Sequence, residues 1–144
     1  GSPGNLYFGL LETSCLMRLK RWEEASREAD KMLVDIGHRR LQALEPPLFY
    51  LYAGEAYQGL GDHARAVDYF TWGMAAAPDH RKAAVTYLLL RRGQSLDLLG
   101  RREEARAHYL EVSQRSDYFD SISKARSALK TPVTPAELDR QLAE

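Results

Sequence analysis

Apolar residues recur every three or four positions along most of this chain, the spacing of one helix face rather than the alternation of a half-buried strand. The clearest stretch lies in the middle. Pro46 or Pro47 suits a first helical turn, where a missing N–H costs nothing, and the pattern predicts a helix from there to about Gly59. Leu60, Gly61 and Asp62 form the predicted turn, because glycine readily takes the left-handed conformation that closes a helix. A second helix, about His63 to Ala76, carries Ala66, Val67, Phe70 and Met74 at helical spacing and stops before Pro78. Asp79 is placed to cap a further helix from His80 through Leu99, ended by Gly100. Nearer the C-terminus, Phe119, Ile122, Ala125 and Leu129 make one apolar stripe. Thr134-Pro135-Ala136-Glu137 then reads as a capping box with proline at the first helical position, opening a last short helix from about Pro135 to Ala143.

The pattern repeats. Gly54, Gly61, Ala66 and Phe70 lie 39 residues before Gly93, Gly100, Ala105 and Tyr109. Moving back 41 residues from Ala66 reaches Ala25, in Arg21-Trp22-Glu23-Glu24-Ala25, which parallels Arg101-Arg102-Glu103-Glu104-Ala105. Coincidences at fixed offsets mark copies of one supersecondary unit, and here each copy reads as two helices joined by a tight turn. Gly54, Ala56 and Ala66 let the helices of the middle copy approach closely, while Tyr57 and Phe70 fill the space between them.

This arrangement resembles the tetratricopeptide repeat, a helix–turn–helix of about 34 residues with large and small residues at set places. The middle copy supplies Tyr50, Ala53, Gly54, Tyr57, Ala66, Phe70 and Pro78 at those places. The third supplies Leu89, Arg92, Gly93, Leu96, Ala105, Tyr109 and Asp117, and the first Gly9, Glu12, Thr13, Leu16, Ala25, Ala29 and Gly37. The resemblance implies an all-α, right-handed solenoid of three helix pairs. The units span about 6–39, 47–80 and 86–117, a capping helix about 118–130 covers the last hydrophobic face, and 131–144 is a tail with a short helix. Residues 1–4 carry no periodicity and stand outside the domain.

Composition supports a helical chain, with 21 Leu and 18 Ala against 12 β-branched residues. The 144 residues are enough for one domain with a real core. Twenty Lys+Arg balance twenty Asp+Glu, so the long-range attraction that draws proteins to nucleic acids or anionic membranes is missing. No nucleic-acid partner is expected. No apolar run approaches the roughly 18 residues of a membrane span, so no membrane insertion is expected either. A single cysteine, Cys15, cannot form an intramolecular disulfide, and it neither proves nor excludes a reducing compartment. The compartment is left open, with the cytoplasm as the expectation.

Little of the sequence carries site chemistry. His38, His63, His80 and His108 fall in different units, none at zinc-ligand spacing, and read as solvated turn and surface residues. Cys15 falls at the small-residue place held by Ala56 and Ser95 in the other copies, where a buried, inert thiol is expected. Glu23-Glu24 and Glu103-Glu104 open second helices, where negative charge suits the helix dipole. No cofactor, metal or catalytic residue is expected, and the chain is not read as an enzyme. Arginine outnumbers lysine 15 to 5, with doublets at Arg39-Arg40, Arg91-Arg92 and Arg101-Arg102, read as solvated charge balanced by nearby carboxylates.

In the family that this chain resembles, first helices line a concave groove that binds peptides. Carried over, the groove shows Leu10, Leu11, Met17 and Arg18 from the first unit. The second offers Leu51, Tyr52, Glu55 and Gln58, and the third Tyr87, Leu90, Arg91, Gln94 and Asp97. Tyr52 is the expected anchor, and Arg91 the guanidinium expected to fork onto a carboxylate of the bound segment. The family's clamp for chaperone tails uses two asparagines and basic residues. The corresponding places here hold Leu10, Ser14, Tyr52, Tyr87 and Arg91, so that specificity is not expected. The expected function is a scaffold that binds a protein or peptide ligand, as part of a larger protein. The alternatives are a small chaperone for exported proteins and a self-associating module.

Overall fold

The computed structural model describes residues 4–39, 46–80 and 82–144, with side chains described for 8–35, 46–80 and 82–144. Every regular element among them is helical: α1 (Gly4–Arg18), α2 (Trp22–Arg39), α3 (Pro46–Leu60), α4 (His63–Ala75), α5 (Ala83–Leu98), α6 (Arg102–Ser113), α7 (Ser121–Lys130) and α8 (Pro135–Leu142).

Three of the connections are the same turn. Backbone N–H groups of Lys20, Gly61 and Gly100 donate to the carbonyls of Met17, Gln58 and Asp97 at 2.9, 3.0 and 3.0 Å. Those of Arg21, Asp62 and Arg101 reach back to Leu16, Tyr57 and Leu96 at 2.9, 2.9 and 2.8 Å. The paired bonds close each first helix and demand a left-handed residue, which glycine supplies without strain at Gly61 (φ 89°) and Gly100 (φ 79°). The first copy places Lys20 there, at φ 57°. Second helices then start on local polar contacts. Asp62 Oδ1 accepts from the Arg65 N–H at 3.2 Å, while Arg21 forks onto Glu24 (2.8 and 2.5 Å) and Arg101 onto Glu104 (2.9 and 2.7 Å).

Within the second and third units the helices meet at a glycine. A Cβ added at Gly54 would lie 2.2 Å from Phe70 Cε1, and one at Gly93 would lie 2.8 Å from Tyr109 Cε1. Ala25, Ala66 and Ala105 are fully buried at the matching second-helix places, so three small residues set the helix spacing. Each helix packs on the next from α1 to α7, and the odd helices also pack on one another, α1 on α3, α3 on α5 and α5 on α7. No comparably extensive contact joins α2 to α4 or α4 to α6 among the described residues. The odd helices therefore form one continuous row, the inner row of the array.

Two boundaries differ from the sequence expectation. α5 begins at Ala83 rather than His80, with Lys82 at its N-cap place, because a turn first closes from the Lys82 N–H to the Asp79 carbonyl. Asp79 is not its cap. Phe119 does not belong to the α7 stripe: it sits in the preceding turn at φ 51° and is 81% exposed. Ala125, Ala128 and Leu129 carry the packing of α7 instead. Arg102 and Arg106 close the far end of that helix, donating to the carbonyls of Ala128 and Leu129 at 2.7–3.1 Å.

Candidate functional site

The inner row of odd helices forms a face whose centre is polar and buried. Arg91 on α5 is 4% exposed and pairs with Glu55 on α3, Nε to Oε2 at 2.8 Å. Its Nη1 donates to Gln94 Oε1 at 3.1 Å and to Gln141 Oε1 at 2.9 Å. Gln94 Nε2 donates to the same Gln141 oxygen at 2.9 Å. One layer deeper, Gln58 Nε2 donates to the Arg91 carbonyl (2.7 Å) and to Ser95 Oγ (2.9 Å), which also meets His63 Nδ1 at 3.1 Å. Every charge in this cluster is matched, as burial requires.

Beside this centre lies an open cleft of about 420 Å³, mainly apolar, lined by Leu48, Leu51, Tyr52, Ala83, Ala84, Tyr87 and Phe119, with Arg91, Lys124, Gln141 and Glu144 at its polar edge. Tyr87 organises it. Its ring stands edge-on to Phe119 with centroids 6.3 Å apart, the Arg91 guanidinium carbon lies 5.3 Å from its centroid, and its hydroxyl donates to the Phe119 carbonyl. Lys124 Nζ donates to that hydroxyl at 3.1 Å. Half-burial, reinforced by the Glu55 carboxylate, pushes the Tyr52 hydroxyl above its ordinary pKa, so the ring is neutral at any physiological pH.

The residues expected along the groove divide by placement. Leu51, Tyr52, Tyr87 and Arg91 line the cleft, and Met17, Arg18, Tyr52 and Glu55 line a smaller adjoining hollow of about 110 Å³. Gln58 and Gln94 lie beneath in the polar cluster. Leu10 packs with Met32 and Phe49, and Leu90 is wholly buried in the core of the third unit, so neither offers surface to a partner. Asp97 faces α6 and not the groove, holding Arg102 at 2.8 Å and the Tyr109 hydroxyl at 2.7 Å. Leu11 is 62% exposed and lines neither cavity. The carboxylate that Arg91 meets is the chain's own Glu55.

The C-terminal helix is the part that the pattern left open. α8 docks on the inner face with Leu138, Gln141 and Leu142 buried, and its main packing contact is a small one with α3. Its apolar and amide positions i, i+3 and i+4 are the signal in the sequence that marks one buried face. Thr134 Oγ1 accepts from the Glu137 N–H at 3.1 Å, as the capping box requires.

Other expectations need correction. Cys15 is exposed: Ser95, at the same place in the third unit, is covered by Gln58 and His63 of the unit before it, and no unit stands before Cys15 among the described residues. His108 is half-buried and accepts a hydrogen bond at Nε2 from Arg92 at 2.7 Å. Burial, then the Arg92 charge, lowers its pKa to about 4, with Glu104 opposing. His63 is lowered too, by burial. His80 is exposed, whereas His38 and the Arg39-Arg40 pair lie outside the described side chains. Arg91 is buried in its ion pair and not solvated, while Arg102 is partly buried against Asp97 and the end of α7. No helix among the described residues is long and apolar enough to cross a membrane.

Comparison with known families matches residues 49–71 to the tetratricopeptide repeat. That stretch runs from Phe49 in α3 to Thr71 in α4 and contains the Gly54–Phe70 contact. No curated protein and no solved structure gives a significant match. The helix pair α3–α4 thus matches a tetratricopeptide repeat over residues 49–71, a repeat that suggests a module of protein–protein interaction.

Proposed function

We propose that this domain is a scaffold that holds a partner protein by a segment laid along the inner face between α3 and α5. The observation that carries the reading is the open cleft of about 420 Å³, where Tyr52, Tyr87 and Phe119 present aromatic surface beside the odd helices. Aromatic anchors in a concave apolar site, with a few polar groups at the edge, are the usual composition of a binding hot spot. Lys124 at the edge is already engaged, its Nζ donating to the Tyr87 hydroxyl and the Phe119 carbonyl at 3.1 Å each and lying 3.7 Å from Glu144, so it fixes the aromatic wall of the cleft.

The test recovers partners from native lysate and titrates the best one against four variants. Tyr52→Ala and Tyr87→Ala should each weaken binding by about 2 kcal/mol or more, roughly 30-fold. Ala64→Glu and Glu111→Lys, both exposed on second helices, should leave affinity unchanged. The reverse ranking places the functional surface on the convex side.

A second reading, self-association, draws on the outer face of the first unit. Phe8 is 61% exposed although its counterparts in the repeat register, Phe49 and Leu88, are 1% and 0% exposed. Leu11 and Cys15 extend the same exposed stripe along α1. Light scattering over a concentration series decides it: a rising mass that Phe8→Asp abolishes supports the reading, and a constant monomer mass refutes it.

A further inference from the structure

We infer that α8 is a resident, displaceable ligand of the groove, and that the partner is a longer amphipathic helix carrying leucine, glutamine and leucine at positions i, i+3 and i+4. This rests on the groove reading above and names the kind of segment that the groove accepts. Arg91 Nη1 and Gln94 Nε2 converge on the single oxygen Gln141 Oε1, each at 2.9 Å. With α8 seated, Arg91 and Gln94 are 4% and 1% exposed, and Gln141 Oε1 is the acceptor that meets the Gln94 amide and shares Arg91 Nη1 with Gln94 Oε1. Glu55 already neutralises Arg91, so the seat suits the neutral oxygen of a carboxamide. Leu138 and Leu142 flank it on the same helix face, 1% and 7% exposed.

The attachment of α8 differs from that of α7. α7 packs on both α5 and α6, and two arginines hold its end. α8 has eight residues, a small packing contact on α3, and the hydrogen bonds of Gln141 to α5. Its start is built from its own residues: Thr134 caps Glu137, and Arg140 forks onto Glu137 at 3.0 and 2.6 Å. It is thus a helix that needs the groove only for its Leu–Gln–Leu face. It also leaves the groove part-filled. The apolar cleft continues past Gln141 and Glu144 toward Tyr52 and Tyr87, so a longer helix in the same seat would cover surface that α8 leaves open.

The probe is a fluorescent peptide of residues 131–144, added in trans to the full chain. In wild type it competes with a tethered copy whose effective concentration is on the order of millimolar. The variant Leu138→Asp with Leu142→Asp frees the seat while keeping the chain length. The peptide should bind that variant at least tenfold tighter than wild type, and a Gln141→Leu peptide should lose at least tenfold. Should the variant fail to fold, amide NMR of ¹⁵N-labelled wild type with excess unlabelled peptide gives the same answer: resonances of 135–142 move to free-peptide positions while those of α3 to α6 keep their dispersion. The inference is overturned by no peptide binding to the folded variant, by α8 resonances unmoved by excess peptide, or by a wild-type dimer with exchanged α8 helices. A recovered partner that depends on Tyr52 yet leaves α8 seated also overturns it, while the groove reading survives.

Discussion

Arg91 and Glu55 sit on the first helices of adjacent units and form a buried ion pair of 2.8 Å, with side chains 5% and 11% exposed. The pair ties the second unit to the third on the inner face, so it couples the stability of the array to the shape of the groove. Removing one partner leaves a buried charge uncompensated.

Arg91→Ala should therefore cost about 3–5 kcal/mol, the range for breaking a buried pair from one side. Arg91→Met combined with Glu55→Met should recover most of that, because no orphan charge remains. Urea denaturation of the three proteins checks it. A loss under about 1 kcal/mol for Arg91→Ala would show that the residue is free for a ligand, as the sequence pattern alone implies.

The contact between Gly54 and Phe70 has a counterpart between Gly93 and Tyr109, and both leave no room for a methyl group. Gly54→Ala and Gly93→Ala should each destabilise by about 1–3 kcal/mol through overpacking. Gly9→Ala is the control: there an added Cβ meets Met32 at an ordinary 3.6 Å, and helix propensity should stabilise by up to about 1 kcal/mol. Thermal melts that rank the three alike would contradict the helix register.

Lys20 holds the left-handed place that glycine holds in the other two turns. Lys20→Gly should stabilise by about 0.5–1 kcal/mol, since the strain removed exceeds the extra freedom gained by the unfolded chain. A lower denaturation midpoint would mean that the lysine side chain, not the turn, decides this position.

His108 makes stability fall on acidification. Its folded pKa is about 4, below the ordinary value near 6.5, so the unfolded chain binds the extra proton between those limits. Stability from this group is complete above about pH 6.5 and declines as pH drops toward 4. His63, shifted in the same direction, adds to the decline. His108→Gln should flatten the fall in melting temperature between pH 7 and 4.5, and an unchanged slope would refute the assignment.

The repeat was legible because its spacing is set by residues with one physical job. Gly54, Gly61, Ala66 and Phe70 return as Gly93, Gly100, Ala105 and Tyr109, and the structure uses them for the same close approach and the same turn. The interior of the groove was not legible for the opposite reason. Arg91 finds Glu55 at a separation of 36 residues and Gln141 at 50, and no local period links those positions. The repeat also misleads at its open end, where Cys15 and Phe8 occupy places that are buried in later units only because another unit covers them. α8 was predicted as a helix from Thr134 and Pro135, but its docking depends on Gln141 meeting donors on α5.

The central claim is that a partner lies on the inner face, and amide-shift mapping of the ¹⁵N-labelled chain with a saturating recovered partner tests it most directly. The account predicts perturbations concentrated in α3 and α5, at and around Leu48, Leu51, Tyr52, Ala84 and Tyr87, with α4 and α6 largely unaffected. Perturbations confined to the outer faces of α4 and α6, with Tyr52 and Tyr87 unmoved, would contradict it.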